Sequence, residues 1–211
     1  RREGPLDRIA GACPRGARVT MPVAAERVAR GVRFRTWQGA GPDRWLVLHG
    51  FAGHPETWRE GVGRLLAPGF VAAPFLPGHG PEPRAPAWTD FAQVILGLAD
   101  AVREISPNGW RLAGYSLGAR LALGLLVAAP EMWAEALLVG VNPGLGSEAE
   151  RAARRAEDAT RARQLREEGL EAFVEVWERM PLFATQRTLP AARLAEQRGW
   201  RLAHDPERLA W

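Results

Sequence analysis

Gly114-Tyr115-Ser116-Leu117-Gly118 carries the clearest chemical meaning in the chain. A serine with glycine two residues away on either side suits a turn so tight that the backbones flanking it nearly touch, leaving no room for side chains there. Trp110 to Tyr115 reads as a strand and 116–129 as a helix, so the turn presents the Ser116 hydroxyl at the end of a sheet. Its backbone is expected in a strained, sparsely populated φ/ψ region. Such a hydroxyl becomes a nucleophile once a base takes its proton and donors meet the charge that develops. The expected donors are two backbone amides: Leu117, the residue after the serine, and Phe51, in His49-Gly50-Phe51 after the apolar run Trp45-Leu46-Val47-Leu48.

A serine of this kind works with a histidine and an orienting acid that follow it in the chain. His204 is the only histidine after Ser116, and it follows no buried strand. It is not placed as the base, and both missing partners are expected in strands beyond Trp211. His79, in Pro77-Gly78-His79-Gly80, is read as bracing its loop by hydrogen bonds. The single cysteine, Cys13, excludes an internal disulfide framework and a cysteine metal cluster. No metal site is expected.

The elements that position Ser116 follow from hydrophobic periodicity. Val32 to Trp37 alternates apolar and polar residues, as a half-exposed edge strand would. Residues 44–50 and Phe70 to Ala73 are short apolar runs suited to buried parallel strands, and Ala136 to Val141 is another. Helices are expected over 56–66 and 90–105, the second capped by Thr89 and carrying Phe91, Val94, Ile95, Leu98 and Val102 on one face. The loop 74–87, with five prolines, is expected to be ordered coil. Alternating strands and helices predict an α/β fold with a mostly parallel, doubly wound sheet and helices on both faces.

From residue 147 onward the pattern is almost entirely helical and rich in Arg and Glu. An insertion of that kind after a sheet strand reads as an all-helical cap over the strands' C-terminal edge, where ligands bind in open α/β sheets. The expected division is a non-native or disordered extension over 1–20, a core over 21–146 and a truncated cap over 147–211. The chain opens on Arg1, with Met21 a plausible start, and closes within a helical pattern at Trp211. Both features predict a fragment whose C-terminal strands are missing.

The 28 basic residues are all arginine, which lifts the sequence pI to 10.7 although the formal net charge is only +4. The arginines of 151–168 alternate with Glu150, Glu157, Asp158, Glu167 and Glu168, the pattern of a solvated helix face rather than a nucleic-acid-binding stripe. No apolar run approaches the length of a membrane span, and no apolar segment follows the N-terminal charges as in a secretory signal. A cytoplasmic protein with neither nucleic-acid nor membrane partners is the expectation.

Several stretches together resemble one family. LVLHGF (46–51), LPGHG (76–80), GYSLGARLAL (114–123), NPGL (142–145), ERAARRAED (150–158), W..MPLF (177–183) and LAEQR (194–198) stand in the order and spacing of the 2-succinyl-6-hydroxy-2,4-cyclohexadiene-1-carboxylate synthases, the menaquinone-pathway branch of the α/β-hydrolase superfamily. The first and third occur across the superfamily, whereas the cap stretches are more specific. The resemblance implies an α/β-hydrolase fold with a helical cap and a Ser–His–Asp triad. It implies a cofactor-free lyase that eliminates pyruvate from an enolpyruvyl-cyclohexene carboxylate. It also implies Ser116 as the catalytic residue, Tyr115 beside it, Arg120, Arg154 and Arg198 on substrate carboxylates, and Trp177 and Phe183 lining the pocket. One departure is Phe75, where the family usually carries an acidic residue, which puts the bracing of that loop in question.

The residues allow plainer roles too. Arg120 could serve a structural ion pair, Arg154 could pair with Asp158 at i,i+4, and Trp177 and Phe183 could be cap core. A carboxylester or C–C bond hydrolase with the same serine turn is the alternative function, and a non-catalytic interaction protein is a third. Arginine favours the first reading, because its planar fork matches a small polycarboxylate substrate.

Overall fold

The computed structural model describes residues 25–59, 69–80, 88 and 90–210. The strands are β1 (Ala25–Ala29), β2 (Val32–Gln38), β3 (Arg44–Leu48), β4 (Phe70–Pro74), β5 (Trp110–Tyr115) and β6 (Trp133–Val139). They form one sheet in the order β1-β2-β4-β3-β5-β6. Pairing is parallel from β4 through β3 and β5 to β6, and antiparallel from β1 through β2 to β4. The mostly parallel sheet is the expected one. The edge is not: Val32 to Trp37 lies second in the sheet, because Ala25–Ala29 forms a further strand outside it. That strand is exposed at four of its five residues, so its sequence carries almost no burial signal.

The central strands are apolar on both faces because both faces are covered. In β3, Leu46 and Leu48 enter one core with Leu112, while Trp45 and Val47 enter the other with Val71 and Ala113. The first core lies under α1 (Phe91–Ile105) and α2 (Leu117–Ala128). Val94, Leu98, Ala101 and Val102 form the buried stripe of α1. Both helices pack on that one face, and the second face is met by the helical turn that opens at Trp58. The expected helix over 56–66 begins there as a 3₁₀ turn (Pro55–Thr57), and from residue 60 it lies outside the described residues.

Asp90, not Thr89, is the cap of α1, its carboxylate accepting from the Gln93 amide at 2.8 Å. Thr89 itself is outside the described residues, as are 1–24, 81–87 and Trp211. The last strand starts three residues earlier than expected, at Trp133. Glu135 there pairs with Arg111 of β5, so a polar residue masks the beginning of the apolar run.

Residues from 147 on are helical throughout the described part. α3 (Glu148–Glu167) opens with a capping box between Ser147 and Glu150. It is followed by α4 (Gly169–Arg179), a 3₁₀ stretch (Pro181–Thr188), α5 (Ala191–Leu202) and the short α6 (Pro206–Leu209). The cap meets the core through a separate apolar cluster: Leu165, Phe173, Val174, Leu209 and Ala210 close around Ala52 and Phe51. The loop after β3 is thus held between sheet and cap. Among the described residues no helix is long and apolar enough to cross a membrane.

Candidate active site

Ser116 sits between β5 and α2 with φ 53° and ψ −112°, a conformation that costs an L-residue about 1–3 kcal/mol. The strain is held by close packing. A Cβ on Gly118 would lie 2.2 Å from the Leu48 carbonyl oxygen, and one on Gly114 would lie 2.5 Å from the Gly118 carbonyl oxygen. The Ser116 amide donates to the Val139 carbonyl at 2.9 Å, fastening the turn to the end of β6. Because the obstructing atoms are backbone, Gly118→Ala should destabilise the protein by about 2–3 kcal/mol, the range of overpacked cores. The check is a urea midpoint that drops with an unchanged m-value; an unaltered midpoint would show that strand and helix can move apart freely.

The Gly50-Phe51 loop closes on this turn. A Cβ on Gly50 would stand 3.0 Å from the Tyr115 ring and 3.5 Å from the Ser116 Cβ. Leu117 is the first residue of α2, where the amide has no intrahelical acceptor. Neither it nor the Phe51 amide has a hydrogen-bond partner among the described residues. The two amides are available to a ligand.

A cavity of about 480 Å³ opens beside Ser116. Phe51, Leu117, Arg120, Arg154 and Trp177 line it, so the structure brings most of the sequence-derived site residues together. The remaining three lie elsewhere. Tyr115 does not line the cavity; its ring lies against Gly50 and the residue is 41% exposed. Arg198 and Phe183 line a second cavity of about 310 Å³ within the cap, where Arg198 is bonded to Glu178 at 2.7 Å. Phe183 touches the first cavity only through its ring contact with Trp177, at 5.5 Å between centroids.

The first cavity is rich in positive charge. Arg161 and Arg208 line it with Arg120 and Arg154, against the single carboxylate of Asp158. Asp158 bonds Arg154 at 2.8 Å and Arg161 at 3.0 Å, and Arg161 also reaches Glu157. These are exposed helix pairs, each worth only a few tenths of a kcal/mol. Arg120 rests over the Phe91 ring at 5.7 Å, and neither its guanidinium nor that of Arg208 has a carboxylate partner among the described residues. The sequence reading missed Arg161 and Arg208. Arg161 lies two helical turns past Arg154 on the same face, a spacing that could have flagged it. Arg208 lies on the helical pattern that opens at Pro206, but its entry into the cavity depends on how α6 docks, which local sequence does not encode.

All four histidines are buried and none lines the site as a charged group. His49 Nδ1–H donates to the Gly50 carbonyl, leaving Nε2 to accept from the Leu76 amide at 3.4 Å. His79 Nδ1–H donates to the Pro77 carbonyl and Nε2 accepts from the Ala52 amide at 3.0 Å. Ala52 stands at φ 52°, so that bond holds a strained residue next to Phe51. Burial pushes His49 and His54 down to about 3 and His204 to about 4, and it depresses His79 well below 6.5. His79 therefore braces both its own loop and the one carrying Phe51. The side chain of Phe75 takes the Arg33 guanidinium over its ring at 4.0 Å, a cation–π contact.

The alpha/beta hydrolase family model matches residues 45–211, most of the chain. The chain belongs to the alpha/beta hydrolase family. Within it, the chain is 36% identical over 147 residues to the 2-succinyl-6-hydroxy-2,4-cyclohexadiene-1-carboxylate synthase of Klebsiella pneumoniae, an alignment covering 67% of this chain and 56% of that protein. Among solved structures it is similar to MenH from S. aureus, with a TM-score of 0.75 and 28% identity over 84% of this chain and 68% of that one. A thermophilic esterase from Thermogutta terrifontis shares the fold at a TM-score of 0.67 and 21% identity, over 90% of this chain and 70% of that one. The chain spans about half the length of the curated relatives it matches, 56% for the Klebsiella protein.

Proposed function

We propose that the chain carries the nucleophile, oxyanion and cap portions of a 2-succinyl-6-hydroxy-2,4-cyclohexadiene-1-carboxylate synthase, a cofactor-free lyase of menaquinone biosynthesis. The observation that carries this reading is one cavity shared by Ser116 and four guanidinium groups. A neutral ester has no use for such a field, whereas a substrate with several carboxylates does. In the proposed reaction a base removes a proton from the substrate ring. The new ring double bond expels the enolpyruvyl oxygen, and the departing enolpyruvate takes up a proton to become pyruvate. Ser116 is the proton-accepting group in this scheme, activated by the histidine and acid of a triad. The Phe51 and Leu117 amides stabilise the anionic charge that builds up.

Arg120 and Arg208 anchor carboxylates directly in this scheme. Arg154 and Arg161 do so after giving up Asp158, at small cost because those pairs are exposed. In the full-length protein, Arg154→Ala and Arg208→Ala should each lower kcat/KM toward the polycarboxylate by about 10–150-fold, the scale of one charge-assisted hydrogen bond. Hydrolysis of a small neutral ester by the same variants should stay within about twofold. An equal loss on both substrates would reject the arginines as carboxylate anchors. No loss on either, with brisk ester turnover, would favour the carboxylester hydrolase.

A further inference from the structure

The cap reaches the loops around Ser116 through two ring contacts on α5 and just after it. Trp200 stacks on His54 with centroids 5.0 Å apart and planes 10° from parallel. His204 inserts more deeply: it is 5% exposed, and its Nδ1 accepts from the Gly80 amide at 3.0 Å, a bond spanning 124 residues of sequence. Since Nδ1 accepts, the proton of the neutral ring is on Nε2. The Ala52 carbonyl favours a proton on this ring, yet Nε2 has no partner that meets hydrogen-bond geometry. The ring also lies edge-on to His79 at 5.0 Å, and His79 is edge-on to Phe51 at 5.9 Å.

The geometry points to His204 as a positioning residue, by which the docked cap holds the Ala52 segment and so aims the Phe51 amide at the site of reaction. The chain of contact is short. His204 fixes Gly80, Gly80 follows His79, and His79 holds the Ala52 amide. Ala52 is at a left-handed φ with its amide bonded to His79, so the direction of the adjacent amide, that of Phe51 in the same turn, depends on where His79 is held. Burial keeps His204 uncharged near neutral pH, as an acceptor must be. The same α6 backbone that follows His204 leaves no space for a Cβ on Gly78, with the Arg208 carbonyl oxygen 2.6 Å from where it would stand. The cap thus presses on this turn at two points.

The inference rests on Ser116 as the reacting hydroxyl, and its test uses a serine-directed phosphonate with the full-length protein rather than the natural substrate. His204→Phe keeps a buried ring but removes the acceptor. The phosphonate rate per folded molecule should fall about 10–100-fold, the scale of a misplaced reacting group. Binding of a non-reactive tricarboxylate should change less than about twofold. His204→Gln, whose amide can accept from Gly80 and donate towards Ala52, should restore the rate to within about threefold of wild type. A residue that merely stabilises the fold would lower the thermal midpoint and leave the rate per folded molecule unchanged, which would overturn the proposal. Histidine ¹⁵N spectra of the wild type give an answer even if His204→Phe does not fold. A neutral His204 with its proton on Nε2 is expected at pH 7, and a proton on Nδ1 overturns the proposal. A wild-type protein inert to the phosphonate would instead refute the role of Ser116, a result distinct from a loss confined to the His204 variants.

Discussion

Ser116→Ala in the full-length protein is expected to lower kcat by at least about 10³-fold while leaving the thermal midpoint nearly unchanged. The size follows from the role. Removing the serine of a serine–histidine unit removes the function of the unit as a whole, and what remains comes from binding and the amide donors alone. The small effect on stability has a local cause. The strained backbone at φ 53° is imposed by Gly114, Gly118 and the bond to Val139, and none of these depends on the side-chain hydroxyl. Ser116 also makes no side-chain capping bond to α2, so its loss leaves no helix donor newly exposed. Steady-state turnover with calorimetry on the same samples checks both halves. A loss under about tenfold would mean that the proton is taken by another group.

The second large effect is on stability in acid. The four histidines are neutral in the fold, with folded values of about 3 for His49 and His54, about 4 for His204, and well below 6.5 for His79. The unfolded chain binds protons at these positions near pH 6.5 while the folded chain refuses them. The stability they contribute is therefore complete above pH 6.5 and is lost as the pH falls towards 4. Each refused proton costs about 1.4 kcal/mol per pH unit, so four together give a slope of about 5 kcal/mol per unit. Glu56, whose value burial raises, opposes this only weakly and at lower pH. Against a total stability on the order of 5–15 kcal/mol, acid unfolding is expected between about pH 6 and 4. Urea midpoints of wild type and His54→Gln between pH 7 and 5 measure it, and the variant should show the shallower slope. Parallel slopes would contradict the buried, neutral state of His54.

The serine turn was legible because its constraint is local: two glycines, a strand before and a helix after fix one geometry around Gly114 to Gly118. The central strands were legible for a similar reason, since burial on both faces leaves an unbroken apolar run such as Trp45 to Leu48. β1 was not, because an edge strand with four exposed residues has no apolar pattern to read. Among the site residues, Arg120 and Arg154 lie on helices adjoining the cavity and their placement follows from the α2 and α3 patterns. Arg198 and Phe183 lie on the far side of Trp177, in the second cavity. Which cavity a cap side chain enters depends on how α4, α5 and α6 pack on one another. That packing is set by long-range contacts such as Arg201 with Glu178 and Trp200 with His54, and no local spacing encodes it. The histidines show the same limit. Their motifs marked a braced loop at His79, but the link from His204 across to Gly80 exists only once the cap has docked.

The most direct measurement of the proposed function is the product released by the full-length wild-type protein from the enolpyruvyl-cyclohexene tricarboxylate. The account predicts one pyruvate per substrate consumed, without added metal or cofactor, at a kcat/KM at least about 10³-fold above that for a neutral p-nitrophenyl ester. Rapid ester hydrolysis with no pyruvate released would contradict it.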